Sequence, residues 1–302
     1  MDRIAIIGMG ALGLLYGDML QAAFDVGFIV GARRKAEYAE SPITVNGVAK
    51  RFDLLDAGAK DPVDLLVFAV KGTALEGAVE DAAGYVGDGT IIISLLNGIT
   101  SEDIIGKRFG ADHLVWCTAQ GMDAVRTGRS LTYTQKGTLR LGLPGGGTSP
   151  NLEKLCEMFD RASVPYAVED DILHRQWSKF MLNVGVNQVL MVHEGNYGTI
   201  QRPGPVRDQM IAAMREVIPL SEREGVPVTE ADVQDYLRLM DTLSPEGMPS
   251  MRQDGLARRK SEVELFSGTV CRLADKHGLP APVNRWLYDT IRAREAGYDK
   301  GE

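Results

Sequence analysis

The sequence predicts an α/β chain in which a doubly wound parallel sheet is followed by an all-helical domain. Three observations carry that expectation. Short unbroken apolar runs alternate with helix-like stretches up to about residue 140, a glycine-rich turn follows the first run, and past Asp171 only helical patterning remains. Parallel strands covered by helices on both faces read as continuous apolar runs, because neither face meets water.

Arg3-Ile4-Ala5-Ile6-Ile7 reads as the first buried strand, followed by a glycine turn and a helix from Ala11 to Ala23. Val26 to Val30 reads as the second strand, and Asp64 to Val70 and Thr90 to Leu95 as two more. Strand, helix, strand in repeated order is the signature of a doubly wound sheet. The loop Gly142-Leu143-Pro144-Gly145-Gly146-Gly147-Thr148-Ser149-Pro150 lacks the Gly-Lys-Ser/Thr ending of a phosphate loop and reads as a turn. A helix of about Asn151 to Ala162 and a strand Tyr166 to Val168 close a first domain, residues 1–169. The second, residues 170–302, carries helices of about Ile172–His193, Pro205–Glu224, Glu230–Asp241, Leu256–His277 and Asn284–Ala296. A ligand pocket is expected between the two domains.

Composition narrows the function. The 302 residues suit two domains, and 44% hydrophobic with 25% charged residues is ordinary for a globular protein. A net charge of -8 argues against nucleic acid or anionic membrane as a partner. No apolar run approaches bilayer length, and Met1-Asp2-Arg3 leads straight into the first strand, so a cytoplasmic protein is expected. Cys117, Cys156 and Cys271 form no CxxC pair, and His113, His174, His193 and His277 show no ligand spacing. Neither a disulfide framework nor a metal site is expected.

Gly8-Met9-Gly10-Ala11-Leu12-Gly13 is a GxGxxG between a buried strand and a helix, the Rossmann dinucleotide fingerprint. The first glycine allows the tight turn, the second lets a pyrophosphate approach the backbone, and the third lets helix and strand pack closely. At the end of the second strand an acidic residue would favour NAD. The chain instead has Gly31-Ala32-Arg33-Arg34-Lys35. A guanidinium fork suits a phosphate dianion, so NADP (NADPH) is favoured, with Arg33 the first candidate and Arg34 the second. The bland alternative is a solvated basic turn.

The stretch Trp177 to Val192 is apolar nearly all round except for Lys179, Asn183 and Asn187, four and eight residues apart and so on one narrow helical face. Burying one cation and two amides costs about several kcal/mol unless something polar meets them, either another protein group or a small anionic substrate. On a second expected helix, Glu262 falls on the face of Phe266, Val270 and Leu273, whereas Glu264 points elsewhere and reads as solvated. Glu262 alone could equally be a first-turn charge or a structural ion pair.

Together these patches resemble the ketopantoate reductase (2-dehydropantoate 2-reductase) family over the whole chain. The resemblance rests on Gly8-x-Gly10-Ala11-Leu12-Gly13, Val70-Lys71, Asn97-Gly98, Trp177-x-Lys179-Phe180-x-x-Asn183-x-x-x-Asn187, and Ser250-Met251-x-x-Asp254 followed by Glu262. It implies NADPH-dependent reduction of a small 2-keto acid, ketopantoate to pantoate, in pantothenate (coenzyme A) biosynthesis. It implies Lys179 as the catalytic acid, supported by Glu262. Asn97, Lys179, Asn183, Asn187, Asn196 and Ser250 would contact substrate. The glycine turn from Gly8 to Gly13, Lys71, Asn97, Ala124 and Glu262 would contact the cofactor. A homodimer is compatible with it. The segment Met191 to Gly198, and Gln188 where a proline often stands, depart from the usual pattern and leave the keto acid open. Two other readings stand beside this one. A β-hydroxyacid dehydrogenase-like enzyme would share the layout and act on a related substrate. A non-catalytic NADP-sensing module would have no use for the Lys179 row.

Overall fold

β1 (Arg3–Ile7) lies at the centre of a five-stranded parallel sheet, flanked in register by Asp25–Val30 on one side and Leu65–Phe68 on the other. The computed structural model describes residues 2–39 and 42–298, and the chain divides into two units, Met1–Ile172 and Leu173–Glu302. In the first unit β1 is followed by α1 (Ala11–Leu20), β2 (Asp25–Val30), α2 (Ala32–Ala39), β3 (Ile43–Val45), β4 (Val48–Lys50), β5 (Asp53–Asp56) and β6 (Leu65–Phe68). Then come α3 (Leu75–Asp81), β7 (Ile91–Ser94), α4 (Ser101–Phe109), β8 (Trp116–Met122), β9 (Val125–Thr127), β10 (Ser130–Thr132), β11 (Lys136–Gly142), α5 (Pro150–Ala162) and β12 (Tyr166–Val168). The parallel sheet has the order β5-β2-β1-β6-β7.

Side-chain alternation explains why both faces are covered. Ile4, Ile6, Phe28, Leu65, Val67 and Ile91 join one core with residues of α1 and α5. Ala5, Ile7, Ile29, Leu66, Phe68 and Ile92 point the other way and join a second core with α3 and α4. Two buried faces on one strand leave no polar positions, which is why the apolar runs are unbroken. The order in which successive strands are added to the sheet reverses between β1 and β6, and at such a switch the crevice beyond the strands' carboxyl ends is where ligands of open α/β sheets bind.

Two smaller sheets were not expected from the sequence. One has the order β4-β3-β10-β9 and the other β12-β11-β8. The first consists of three-residue strands, too short for any periodicity to register. In the second, β8 and β11 pair antiparallel, with polar residues such as Thr138 and Arg140 alternating with buried Leu139 and Leu141.

The second unit contains α6 (Ile172–Val192), α7 (Tyr197–Gln201), α8 (Pro205–Arg215), α9 (Val217–Arg223), α10 (Glu230–Thr242), α11 (Ser250–Leu256), α12 (Thr269–His277) and α13 (Pro282–Glu295). Two expectations need correction. The single helix Pro205–Glu224 is two, because Pro219 has no N–H to give Arg215 and its ring crowds that carbonyl. Glu216, freed at the break, accepts the Val283 and Asn284 N–H groups at 2.8 and 2.9 Å and so caps α13.

The continuous helix Leu256–His277 does not form either. α11 ends at Leu256, Arg258 adopts a left-handed backbone (φ 50), and helix resumes only through a π turn at Glu264–Gly268 that leads into α12. A tertiary contact outweighs the local apolar spacing here, since buried Glu295 accepts the Ser261 N–H at 2.7 Å. Glu262 therefore stands in a bend ahead of the helix rather than in a helical stripe. Nor is Glu264 simply solvated: it accepts the Tyr288 hydroxyl at 2.7 Å and faces Arg272 and Arg292.

Candidate functional site

The glycine turn is built against the end of β6. A Cβ on Gly8 would lie 2.4 Å from the Ala69 carbonyl oxygen, and Gly8 has φ +112, so only glycine fits. A Cβ on Gly13 would lie 1.9 Å from the Gly8 oxygen, which fixes how closely α1 approaches the strand. Gly10 differs: its Cβ would meet no protein atom nearer than 3.7 Å. The protein leaves that space open, and the extended N-cap at Gly10 has no side-chain cap and no acidic residue in the first turn of α1. Uncapped N–H groups at the positive end of a ten-residue helix are what an anionic pyrophosphate needs, so these residues fit a dinucleotide.

Arg33 and Arg34 occupy the first turn of α2, which holds no acidic residue, and both are exposed. Lys35 is engaged with Asp56 at 2.6 Å, whereas among the described residues no ion pair or hydrogen bond is made by Arg33 or Arg34. Cations at a helix N-terminus oppose the macrodipole by roughly 0.3–1 kcal/mol each, a local cost that a bound phosphate would reverse. Lys71 follows the Ala69-Val70 segment that abuts Gly8, and is exposed. Asn97, half-buried, follows the carboxyl end of β7, and Gly98 beside it turns the chain at φ 93. Ala124 lies between β8 and β9, partly buried against the first core.

One residue of this unit escaped the sequence reading. Arg126 of β9 donates to the Met9 carbonyl in the glycine turn and, at 2.9 Å, to the Tyr38 hydroxyl of α2. A guanidinium thus sits on the turn itself. No local pattern marks it, because it reaches the turn through the β9–β10 hairpin.

In the second unit, Lys179, Asn183 and Asn187 do share one face of α6, and Asn183 and Asn187 are 8% and 7% exposed. Lys179 is partly buried. The Asn183 Nδ2 is buried with no hydrogen-bond partner among the described residues, as is the Nε2 of Gln176. Gln176 stands three residues before Lys179 and seven before Asn183, so it extends the same row by one position. The spacing was visible in the sequence, but the glutamine precedes the charged residue that drew attention to the row. Two orphaned buried amides on one helix face are unusual, since buried donors are nearly always paired.

The remaining candidates are spread more widely. Asn196 precedes α7, where its Oδ1 accepts from Thr199 at 3.3 Å and its amide donates to Glu246 at 3.5 Å, so its side chain has a structural occupation. Ser250 opens α11 and is exposed. Glu262 is half-buried. Among the described residues no cluster of His, Cys, Asp or Glu could hold a metal ion, and no helix is long and apolar enough to cross a membrane.

A Rossmann-like sheet with this glycine turn and a helical unit carrying a buried polar row define an oxidoreductase of the two-unit kind. The chain belongs to the ketopantoate reductase family: the description "Ketopantoate reductase PanE/ApbA" matches residues 4–145 and its C-terminal counterpart matches residues 171–295. It is 26% identical over 300 residues to a 2-dehydropantoate 2-reductase of Pyrococcus abyssi, covering 97% of this chain and 98% of that one. A 2-dehydropantoate 2-reductase of Archaeoglobus fulgidus is 25% identical, with 98% and 99% covered. Among solved structures, the 2-dehydropantoate 2-reductase of Geobacter metallireducens superposes with a TM-score of 0.85 at 27% identity, covering 96% and 99%. A D-mandelate dehydrogenase solved with NADH and anilino(oxo)acetate shares the fold, with a TM-score of 0.89 at 23% identity and 98% and 99% covered.

Proposed function

We propose that the chain reduces a 2-keto acid to the 2-hydroxy acid with NADPH, that the substrate is 2-dehydropantoate, and that the reaction serves pantothenate synthesis in the cytoplasm. The observation that carries this reading is the α6 face, where Lys179 and Asn187 flank an Asn183 amide nitrogen that is buried without a hydrogen-bond partner among the described residues. A substrate carrying a carboxylate and a carbonyl would satisfy such a row, and the free protein bears the cost until it binds. The relatives named 2-dehydropantoate 2-reductase support the choice of substrate.

When bound, the reduced nicotinamide would supply a hydride to the carbonyl carbon. Lys179, as an ammonium, polarises the carbonyl and gives its proton to the oxygen as charge develops there. Asn183 and Asn187 orient the substrate's oxygens, Gln176 adds a donor at the end of the row, and Ser250 takes the carboxylate. Glu262 supplies a negative charge that favours the ammonium form of Lys179. The Gly8–Gly13 turn holds the pyrophosphate, with Lys71, Asn97 and Ala124 as further cofactor contacts. Arg33 and Arg34 select the 2′-phosphate of NADPH.

The direct experiment is NADPH oxidation against a panel of 2-keto acids that includes ketopantoate and an aryl 2-oxo acid. Ketopantoate should give the highest kcat/KM. A clear preference for the aryl acid would reassign the substrate, and no turnover of any member would remove the reductase reading. Proton donation has its own test. The reduction rate should fall, and oxidation of the hydroxy acid should rise, as pH increases through the titration of Lys179. Coincident pH dependence in both directions would move the acid elsewhere.

A further inference from the structure

Far from the α6 row in chemistry, the helical unit holds a cleft of about 320 Å³ lined by Glu194, Arg252, Gly255, Arg258, Arg294 and Tyr298, with Gly297 at its edge. Three guanidiniums converge on it in a chain whose net charge is -8. They do not serve the same purpose. Arg294 donates to the Met191 and Val192 carbonyls at 2.7 and 3.1 Å, which closes the end of α6, and Glu194 faces it at 3.3 Å. Arg258 lies over the Tyr298 ring, 5.8 Å from its centroid, and donates weakly to the Gly297 carbonyl at 3.3 Å. The Nε of Arg252 is buried with no hydrogen-bond partner among the described residues. Among the described residues no carboxylate pairs with Arg252 or Arg258.

The backbone around the cleft is strained in a matching way. Four non-glycine residues among those described have positive φ, and two of them, Glu194 at 53° and Arg258 at 50°, line this cleft. Left-handed backbone is disfavoured for residues with a Cβ, and glycine would relieve it. Strain retained where a charged side chain enters a cleft points to a role for that side chain. Arg252 and Gly255 are three apart on α11, which puts them on one face, while Ser250 lies on the opposite one. The cleft is therefore separate from the face that carries Ser250.

We propose that this cleft binds a small multiply charged oxyanion, one bearing phosphate groups or paired carboxylates, with Arg252 and Arg258 as its principal ligands and the Tyr298 hydroxyl as a neutral one. Planar forks match such oxygens bidentately, and two guanidiniums with no carboxylate partner among the described residues repel until an anion lies between them. The proposal is independent of the reductase reading, because none of these residues belongs to the row on α6 or to the glycine turn.

Calorimetry with inorganic pyrophosphate, and separately with citrate, tests it on the full chain at low ionic strength, with the glycine turn first saturated with NADPH so that it takes up no pyrophosphate itself. One saturable site per chain is expected, with affinity falling as salt is added. Pyrophosphate binding tighter than citrate assigns phosphate, and the reverse assigns carboxylates. Arg252→Gln should weaken binding at least tenfold. Arg258→Gly should also weaken it while raising the Tm of the free protein, a combination that a purely structural arginine would not give. No saturable binding, or unchanged affinity in both cleft variants, would overturn the proposal.

Discussion

The Gln188 Oε1 accepts the backbone N–H of Ser267 at 3.0 Å, across 79 residues of chain. In the π turn the Gly268 N–H goes to the Val263 carbonyl, and Gln188 takes up the preceding N–H. The same amide donates to the Val184 carbonyl at 2.7 Å, and the Ser267 hydroxyl goes on to Asn284 at 2.9 Å. All three residues are fully buried. The network thus ties α6 to the turn that follows Glu262.

Gln188→Leu keeps the volume but leaves the Ser267 N–H buried without an acceptor. It should cost about 1–3 kcal/mol of stability and, by loosening the turn, lower kcat through Glu262. Urea denaturation and steady-state kinetics read the two effects. A loss well under 1 kcal/mol would mean that the turn does not depend on this bond.

The cofactor end offers a paired test. Arg33→Ala should weaken NADPH far more than NADH, by roughly 1.5–3 kcal/mol for a lost charge-assisted contact. Arg126→Ala, which removes a guanidinium from the glycine turn, should weaken both cofactors alike, since both carry the pyrophosphate. Fluorescence titration of each variant with each cofactor decides. Equal weakening by Arg33→Ala would return the 2′-phosphate to Arg34.

On α6 the residues should separate by kinetic signature. Lys179→Ala should cut turnover by orders of magnitude while leaving NADPH binding nearly intact, and Asn183→Ala should mainly raise KM. Gln176→Met removes an amide whose buried Nε2 has no partner among the described residues, so the free protein should be as stable as wild type or more so while KM rises. A destabilised Gln176→Met with normal KM would show that the amide serves the fold.

Glu224 gives a pH test of stability. The Lys276 ammonium at 2.6 Å, and after it His277, hold its carboxyl below the usual range around 4.5. A folded-state pKa below the unfolded one contributes stability that is complete above the unfolded value and is lost as pH falls through the folded value. Wild type should exceed Glu224→Gln by up to about 1 kcal/mol between pH 5 and 6, a modest figure because the Lys276 end is exposed. The two should converge once pH falls below the folded value, which lies under 4.5. A gap that persists there would have another origin.

How much was legible beforehand follows from where each residue's partners lie. Ile4 to Ile7 and Ile91 to Ser94 announced themselves because burial on both faces leaves an unbroken apolar string. The α6 row was legible because a helix repeats its own face locally. Arg126 was not, since its partner Met9 lies 117 residues away and joins it only through the fold. Glu262 misled for the opposite reason: its spacing to Phe266 and Val270 is helical, but Glu295, 34 residues on, pulls Ser261 out of the helix. The cleft around Arg252 had no sequence signature, because Arg294 joins Arg252 and Arg258 only through the fold.

The pairing of β10 with β3 has a consequence for how the chain is made. Ser130 and Leu131 lie beside Thr44 and Val45, so this small sheet joins a strand emerging early from the ribosome to one that follows much later. Contacts this distant in sequence are paid for in chain entropy before they return anything, and they form slowly. β1, β2, β5, β6 and β7 are all synthesised before Ser130 appears, so the parallel sheet can assemble first and β3 and β4 must wait as an unmatched hairpin. Only when β9 and β10 arrive does Arg126 reach the Met9 carbonyl. A nascent chain arrested shortly before Ser130 should therefore hold the glycine turn without its guanidinium cover, and the nucleotide half should mature in two kinetically separate stages.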